Sequence, residues 1–371
     1  MDKKFVMGIA AMAALTLVSC SSDDLDSLSD NSSKNEAISF DGYLGRSAVA
    51  VNGSRGKEAT KDALQKSTEG FGVFGNYSST EFSEGTPAAF GKNLFDNQQV
   101  TYDKTISKWT YSPLKYWPTK GHIDFLAYAP YYNAEKFVDT YHLKFNVSET
   151  ITEQKDLLYT NKTVGQTMAN NSGTNKVTFK FDHALSRLGY SVKLNGTCSS
   201  DATITLKKIT LAGSAPEPTT GTTTEPTGAF HKTGTIDLST GNWSSLSGKQ
   251  YFNWYSAETT GAQSITFTSE NSTSTSNKTY TNQGDEYLFV IPQNFSATAT
   301  DKLYVIVEYN IKYNGISETL TNTVYKQLTA DFKQGKAYTI KLTIGRPIDF
   351  DVDAEITSWV DDTTIPEIPM D

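Results

Sequence analysis

Residues 348–356 read Ile-Asp-Phe-Asp-Val-Asp-Ala-Glu-Ile. Apolar and acidic residues alternate without a break. A strand, whose successive side chains point to opposite faces, sorts this stretch into an apolar face (Ile348, Phe350, Val352, Ala354, Ile356) and a wet face (Asp349, Asp351, Asp353, Glu355). The same period recurs upstream. Val177, Phe179 and Phe181 alternate with Lys180 and Asp182, and Ile123, Phe125 and Ala127 alternate with Asp124, Leu126 and Tyr128 between breakers at Pro118–Gly121 and Pro130. Further short strands are expected at 37–44, 71–75, 188–194, 204–211, 265–268, 287–291, 303–313 and 338–344. Many short strands separated by turns point to β-sandwiches. Abundant Tyr (20) and Phe (19), and the lack of a long amphipathic helix, agree with an all-β fold.

Working outward to the N-terminus, Lys3 and Lys4 precede an apolar run, Phe5 to Val18, that ends in Leu17-Val18-Ser19-Cys20. A basic start, a short apolar core and small residues before a cut site describe a secretory signal at 1–19. The run is too short for a bilayer span, which takes about 20 residues. Cys20 stands where bacterial lipoproteins are acylated, for instance with palmitate, and such an anchor gains about 0.8 kcal/mol per buried CH₂. Residues 20–36 read as an acidic flexible tether. An N-terminal domain is expected over 37–165 and a C-terminal domain over 176–360, joined by a polar Gly/Asn-rich linker at 161–175. The C-terminal domain carries a Pro/Thr-rich loop at 214–228, and 361–371 is a tail. Formal net charge is −8, and −9 once Asp2, Lys3 and Lys4 leave with the signal. That balance speaks against nucleic acid as a partner. The only other cysteine, Cys198, falls in a stretch that reads as a turn and is expected to have no partner once Cys20 is acylated.

The residues offer little chemistry. His122, His142, His183 and His231 fall in no HExxH or paired zinc spacing, and no GxSxG elbow, P-loop or dinucleotide fingerprint occurs. No enzyme, cofactor or metal site is expected. The acidic face of 348–356 could hold calcium, but the solvent face of an alternating strand explains it more simply. The block 109–132 is densely aromatic. Trp109 and Trp117 within it, with Trp243 and Trp254 further on, are candidates for stacking on a sugar; filling a sandwich core is the simpler use.

Several segments together resemble the fimbrillin-like family of Bacteroidales, whose members build type V pili. They are Tyr111-Ser112-Pro113-Leu114-Lys115-Tyr116-Trp117-Pro118, Phe125-Leu126-Ala127-Tyr128-Ala129-Pro130, Asp156-Leu157-Leu158-Tyr159, Phe181-Asp182-His183-Ala184-Leu185-Ser186-Arg187-Leu188 and Ile356-Thr357-Ser358-Trp359. The resemblance implies two tandem transthyretin-like β-sandwich domains, and export as a lipoprotein to the outer membrane and cell surface. It further implies cleavage after an Arg, removal of the first strand and refilling of its groove by a strand from another pilus subunit. Asp23 and Asp24, just after the Cys, are similar to the surface-export signal of such lipoproteins.

Carried onto this chain, 37–44 is the removable strand, with Ile38, Phe40 and Tyr43 as its anchoring residues. Arg46 and Arg55 are the candidate cleavage sites, Arg46 preferred because it follows the strand directly. After Trp359 only VDDTTIPEIPMD follows, short for a donor strand and broken by Pro366 and Pro369. A tip or accessory subunit, which only accepts, is therefore favoured slightly over a stalk subunit, with a host or bacterial glycan or protein as its receptor. The competing expectation is a monomeric, surface-exposed glycan-binding lipoprotein.

Overall fold

Successive strands build the molecule in the computed structural model, which describes residues 36–44, 61–172, 176–194, 202–216, 225–259, 262, 264–267, 279–281, 287–344 and 350–358. In chain order they are β1 (Ser39–Leu44), β2 (Phe71–Ser78), β3 (Phe95–Asp103), β4 (Lys108–Thr110), β5 (His122–Ala129), β6 (His142–Asn146), β7 (Leu158–Gln166) and β8 (Lys176–His183). Then follow β9 (Ser186–Leu194), β10 (Ala202–Ala212), β11 (Phe230–Asp237), β12 (Trp243–Gln250), β13 (Phe252–Ser256), β14 (Thr266–Phe267) and β15 (Thr279–Thr281). The last are β16 (Leu288–Val290), β17 (Gln293–Asn294), β18 (Leu303–Tyr313), β19 (Leu320–Leu328), β20 (Asp331–Phe332), β21 (Lys336–Ile344) and β22 (Phe350–Ser358). Among the described residues helix is confined to short pieces, including α1 (Lys61–Lys66) and α2 (Met168–Asn171). The fold is all-β, as the alternation requires.

The first half forms one sheet in the order β1-β8-β7-β5-β2-β3-β4. Its central strand, β5, is buried at all eight positions. Ile123, Phe125, Ala127 and Ala129 enter a smaller core, while Leu126 and Tyr128 enter a larger one. The strand thus alternates between two apolar clusters, not between core and water, and its sequence is apolar on both faces for that reason. His122 and Asp124 are the polar exceptions. The buried Asp124 carboxyl accepts the backbone N–H groups of Ala89 (2.8 Å) and Gly165 (2.7 Å), so two donors satisfy it.

The second half is a sandwich. One sheet runs β13-β10-β18-β19 and the other β15-β9-β21-β22. Leu206, Ile209, Val305, Val307 and Tyr309 of the first share a core with Leu188, Tyr190, Val192, Ile340 and Leu342 of the second. β22 pairs with β21 from Lys336↔Ser358 to Ile344↔Phe350 and has no partner on its other side among the described residues.

Two strands pair across the boundary expected between the halves. β6 joins the sheet β12-β11-β6 through β11 of the second half. β8 joins the first-half sheet, parallel to β1 and antiparallel to β7. The stretch 161–175 is not simply a linker: residues 161–166 complete β7, and Thr167 caps α2 by accepting the N–H of Asn170 at 3.2 Å. Residues 161–166 look like linker because β7 buries polar side chains, Thr160 and Thr163 among them.

Candidate strand-exchange site

β1 lies at an edge of the seven-stranded sheet. It pairs parallel with β8 from Ser39↔Lys176 to Leu44↔Phe181. Ahead of it the chain pairs on its opposite side with the segment after β4. Ile38 N–H donates to Lys115 O at 2.8 Å, and Trp117 N–H donates to Glu36 O at 3.0 Å. Tyr111 closes this clasp: its hydroxyl donates to Ile38 O at 2.6 Å. Burial holds the Tyr111 phenol above its ordinary pKa, with the backbone contact at Lys115 opposing.

The alternation Ile38, Phe40, Gly42 points one face of β1 inward. Ile38 is 1% exposed and Phe40 2%. The Phe40 ring meets those of Tyr111 at 5.3 Å, Phe95 and Phe179 at 5.4 Å and Phe125 at 5.8 Å. Burying each such side chain contributes about 1.5–3 kcal/mol. Gly42 is buried against Phe181, whose Cε2 would lie 3.2 Å from any Cβ at that position. The outer face carries Asp41, 3.7 Å from Lys61 of α1, an exposed pair that adds little. Lifting β1 away would therefore expose a groove walled by aromatic rings and a free edge of β8.

Of the expected site residues, Ile38 and Phe40 are buried in or beside β1, and Tyr43 lies on β1. Cys20, Arg46 and Arg55 lie outside the described residues; the two arginines fall within 45–60, between β1 and α1. The four candidate tryptophans are buried or half-buried, the simpler of the two uses considered for them. Trp109 (8% exposed) packs on Phe71 and Tyr102, Trp117 is 2% exposed, and Trp254 (4%) packs edge-on against Tyr190. Trp243 is half-buried and its indole N–H donates to Ala184 O at 2.9 Å. A cleft of about 810 Å³ reaches Trp254 beside Tyr251 and Glu149, and shares no residue with the β1 seat. Glu355 of the acidic strand is 2.6 Å from Lys341, so one carboxylate proposed for calcium already has a partner.

The clasp Tyr111–Trp117 and the parallel pairing of β1 with β8 are what sequence reasoning missed. The only available signal was the aromatic density of 109–132. The structure also joins two of the family-like segments. His183 Nδ1 lies 2.7 Å from Asp156 Oδ2, and Ala184 N–H donates to Leu157 O at 2.7 Å, so both segments meet at the turn from β8 into β9.

Comparison with known proteins follows this geometry. A fimbrial protein from Bacteroides vulgatus aligns over 87% of this chain and 99% of its own, with 21% identity and a TM-score of 0.63, which marks a shared fold. A Bacteroides ovatus protein provisionally assigned to cell adhesion (15% identity, 89% of this chain and 100% of its own, TM-score 0.47) is a looser likeness. So is a tip fimbrial protein from Porphyromonas gingivalis (10% identity, 78% and 93%, TM-score 0.32). A comparison with curated protein sequences found no match. Residues 58–359 match the fimbrillin-like family, a span that begins after β1 and takes in most of the sequence; the chain belongs to the fimbrillin-like family.

Proposed function

We propose that this chain is a fimbrial subunit that joins its neighbours by strand exchange: β1 is cut free within 45–60, leaves its seat, and is replaced by a strand from another subunit. The observation that carries the reading is β1 itself. It is an edge strand with inward side chains in an aromatic-walled groove, tethered through a segment holding Arg46 and Arg55. An incoming strand would inherit the main-chain bonds to β8 and the Phe40 slot, which is β-augmentation in a preformed groove. Until then β1 covers the β8 edge, which would otherwise template aggregation.

On this reading the chain travels as a lipoprotein acylated at Cys20 and is displayed on the outer membrane before entering the fimbrium. The two halves act as an accepting N-terminal sheet and a C-terminal sandwich, with β6 and β8 as the pairing between them. A tip or accessory place is favoured, because β22, the strand available for donation, is committed along its length to β21. Adhesion to a glycan or protein receptor is the corresponding role. Trypsin treatment of the chain from Ser21, read by intact mass and native gel, tests the proposal. A cut after Arg46 or Arg55 followed by capping of a stalk protein supports it. A cut that leaves a monomer unable to join any stalk would sink it.

A further inference from the structure

We infer that the β1 seat selects strands reading apolar–x–aromatic–x–glycine or alanine, and that its occupant in the assembled state is a partner subunit's strand of that pattern, not residues 350–371 of a second copy. This rests on the strand-exchange reading above and specifies which donor it admits.

Three positions set the rule. At Ile38 the backbone is held on both polar groups, its N–H by Lys115 O at 2.8 Å and its carbonyl by the Tyr111 hydroxyl at 2.6 Å. That clamp fixes register, and a slip of one residue would turn every inward side chain outward. Two residues on, the slot is filled by Phe40 against four rings at 5.3–5.8 Å. An aliphatic residue there leaves a void that rigid aromatic walls do not close. Two further on, at Gly42, the space is taken by Phe181. A Cβ would sit 3.2 Å from its Cε2 and 3.8 Å from Phe71 Cε1. Phe181 is itself buried, 5.9 Å from the Phe71 ring and 6.2 Å from Phe179, so other rings flank it. Alanine requires a shift of tenths of an ångström; a branched side chain overpacks the site.

Residues 350–371 fail this rule in either strand direction. Their only aromatics are Phe350 and Trp359. The positions two residues away are Ile348 and Val352, and Thr357 and Asp361. None is glycine or alanine, so any register that fills the aromatic slot drives a larger side chain against Phe181.

The test has two arms. In the full chain, Gly42→Ala, Gly42→Val and Phe40→Val are compared by hydrogen exchange at Val177–Phe181 of β8. Gly42→Ala is expected to leave protection near the parent level, while Gly42→Val and Phe40→Val speed exchange about tenfold or more. In the trypsin-cut chain, uptake of synthetic peptides is followed by native mass spectrometry. The probes are residues 36–44, the same peptide with Gly42→Val, and residues 350–371. The first is expected to enter, and the other two at least about tenfold less well. Equal behaviour of Gly42→Ala and Gly42→Val, or ready entry of 350–371, overturns the inference and leaves strand exchange standing. If the 36–44 peptide itself never replaces β1, strand exchange fails instead.

Discussion

Replacing Phe40 with Ala should detach β1 without unfolding the remainder. Phe40 is almost wholly buried among Phe95, Tyr111, Phe125 and Phe179. Truncating such a ring costs about 3–5 kcal/mol through lost transfer energy and the cavity left behind. A residue on a central strand passes that cost to the whole fold. β1 is different, because it is an edge strand with one strand neighbour, β8, and the short clasp at 115–117. The chain escapes the cavity by releasing β1, so the cost to the global transition is capped at the free energy that holds β1 in place. At about tenfold per 1.4 kcal/mol, the population of the released state should rise by roughly two to three orders of magnitude. Hydrogen exchange at Val177–Phe181 and at Lys115–Trp117 reads that population, and differential scanning calorimetry reads the global transition. Phe125→Ala on β5, buried in the same core, is the control and should depress the global midpoint fully. If Phe40→Ala lowers the midpoint as much as Phe125→Ala, with β8 exchanging in step with β5 and β7, then β1 is not separable and the reasoning is wrong.

Other outcomes follow from the same geometry. Tyr111→Phe removes the hydroxyl bond to Ile38 O and the longer contacts with the Lys115 backbone at 3.3 Å, and should weaken β1 by about 0.5–1.5 kcal/mol, seen as faster exchange at Ile38 and Lys115. Burial raises the phenol pKa of Tyr111 above 10.0, so the folded state holds its proton where the unfolded state has lost it; this contribution is intact below pH 10, declines as pH rises further, and can be followed by phenolate absorbance against exchange at β8. Gly72→Ala places a Cβ 2.3 Å from the buried Tyr128 ring and should cost at least about 1–3 kcal/mol in urea unfolding. Asp124→Ala strands the N–H groups of Ala89 and Gly165, with an expected loss of about 3 kcal/mol by the same assay.

Strands with strict alternation were legible from the residues. β8 and β22 lie where Val177–Phe181 and Phe350–Ile356 place them, because period-two sorting of apolar side chains is a local property of the chain. Partner choice was not legible. Nothing near Phe40 announces that its ring will stack on Phe179, or that β1 will run parallel to a strand more than a hundred residues away. The same limit hid β6, which alternates Leu143 and Phe145 with Lys144 but pairs with β11 in the second half. Residues 161–166 misled for a different reason: β7 meets its burial with threonine hydroxyls and a glycine, not with aliphatic groups. The tryptophans were ambiguous in sequence because indoles serve both cores and sugar platforms, and burial is a property of the fold. At the candidate site, Ile38, Phe40 and Tyr43 were legible as residues of a first strand, while its inward face, the Tyr111 clasp and the Phe181 wall required the fold.

The most direct measurement is native mass spectrometry of the chain from Ser21 after limited trypsin treatment, with and without the excess 36–44 peptide carrying an isotopic label. The account predicts a chain cut within 45–60 whose own first strand is lost and replaced one for one by the labelled peptide. A cut chain that keeps its original strand against excess peptide, or that loses it and never takes up another, would contradict strand exchange at this site.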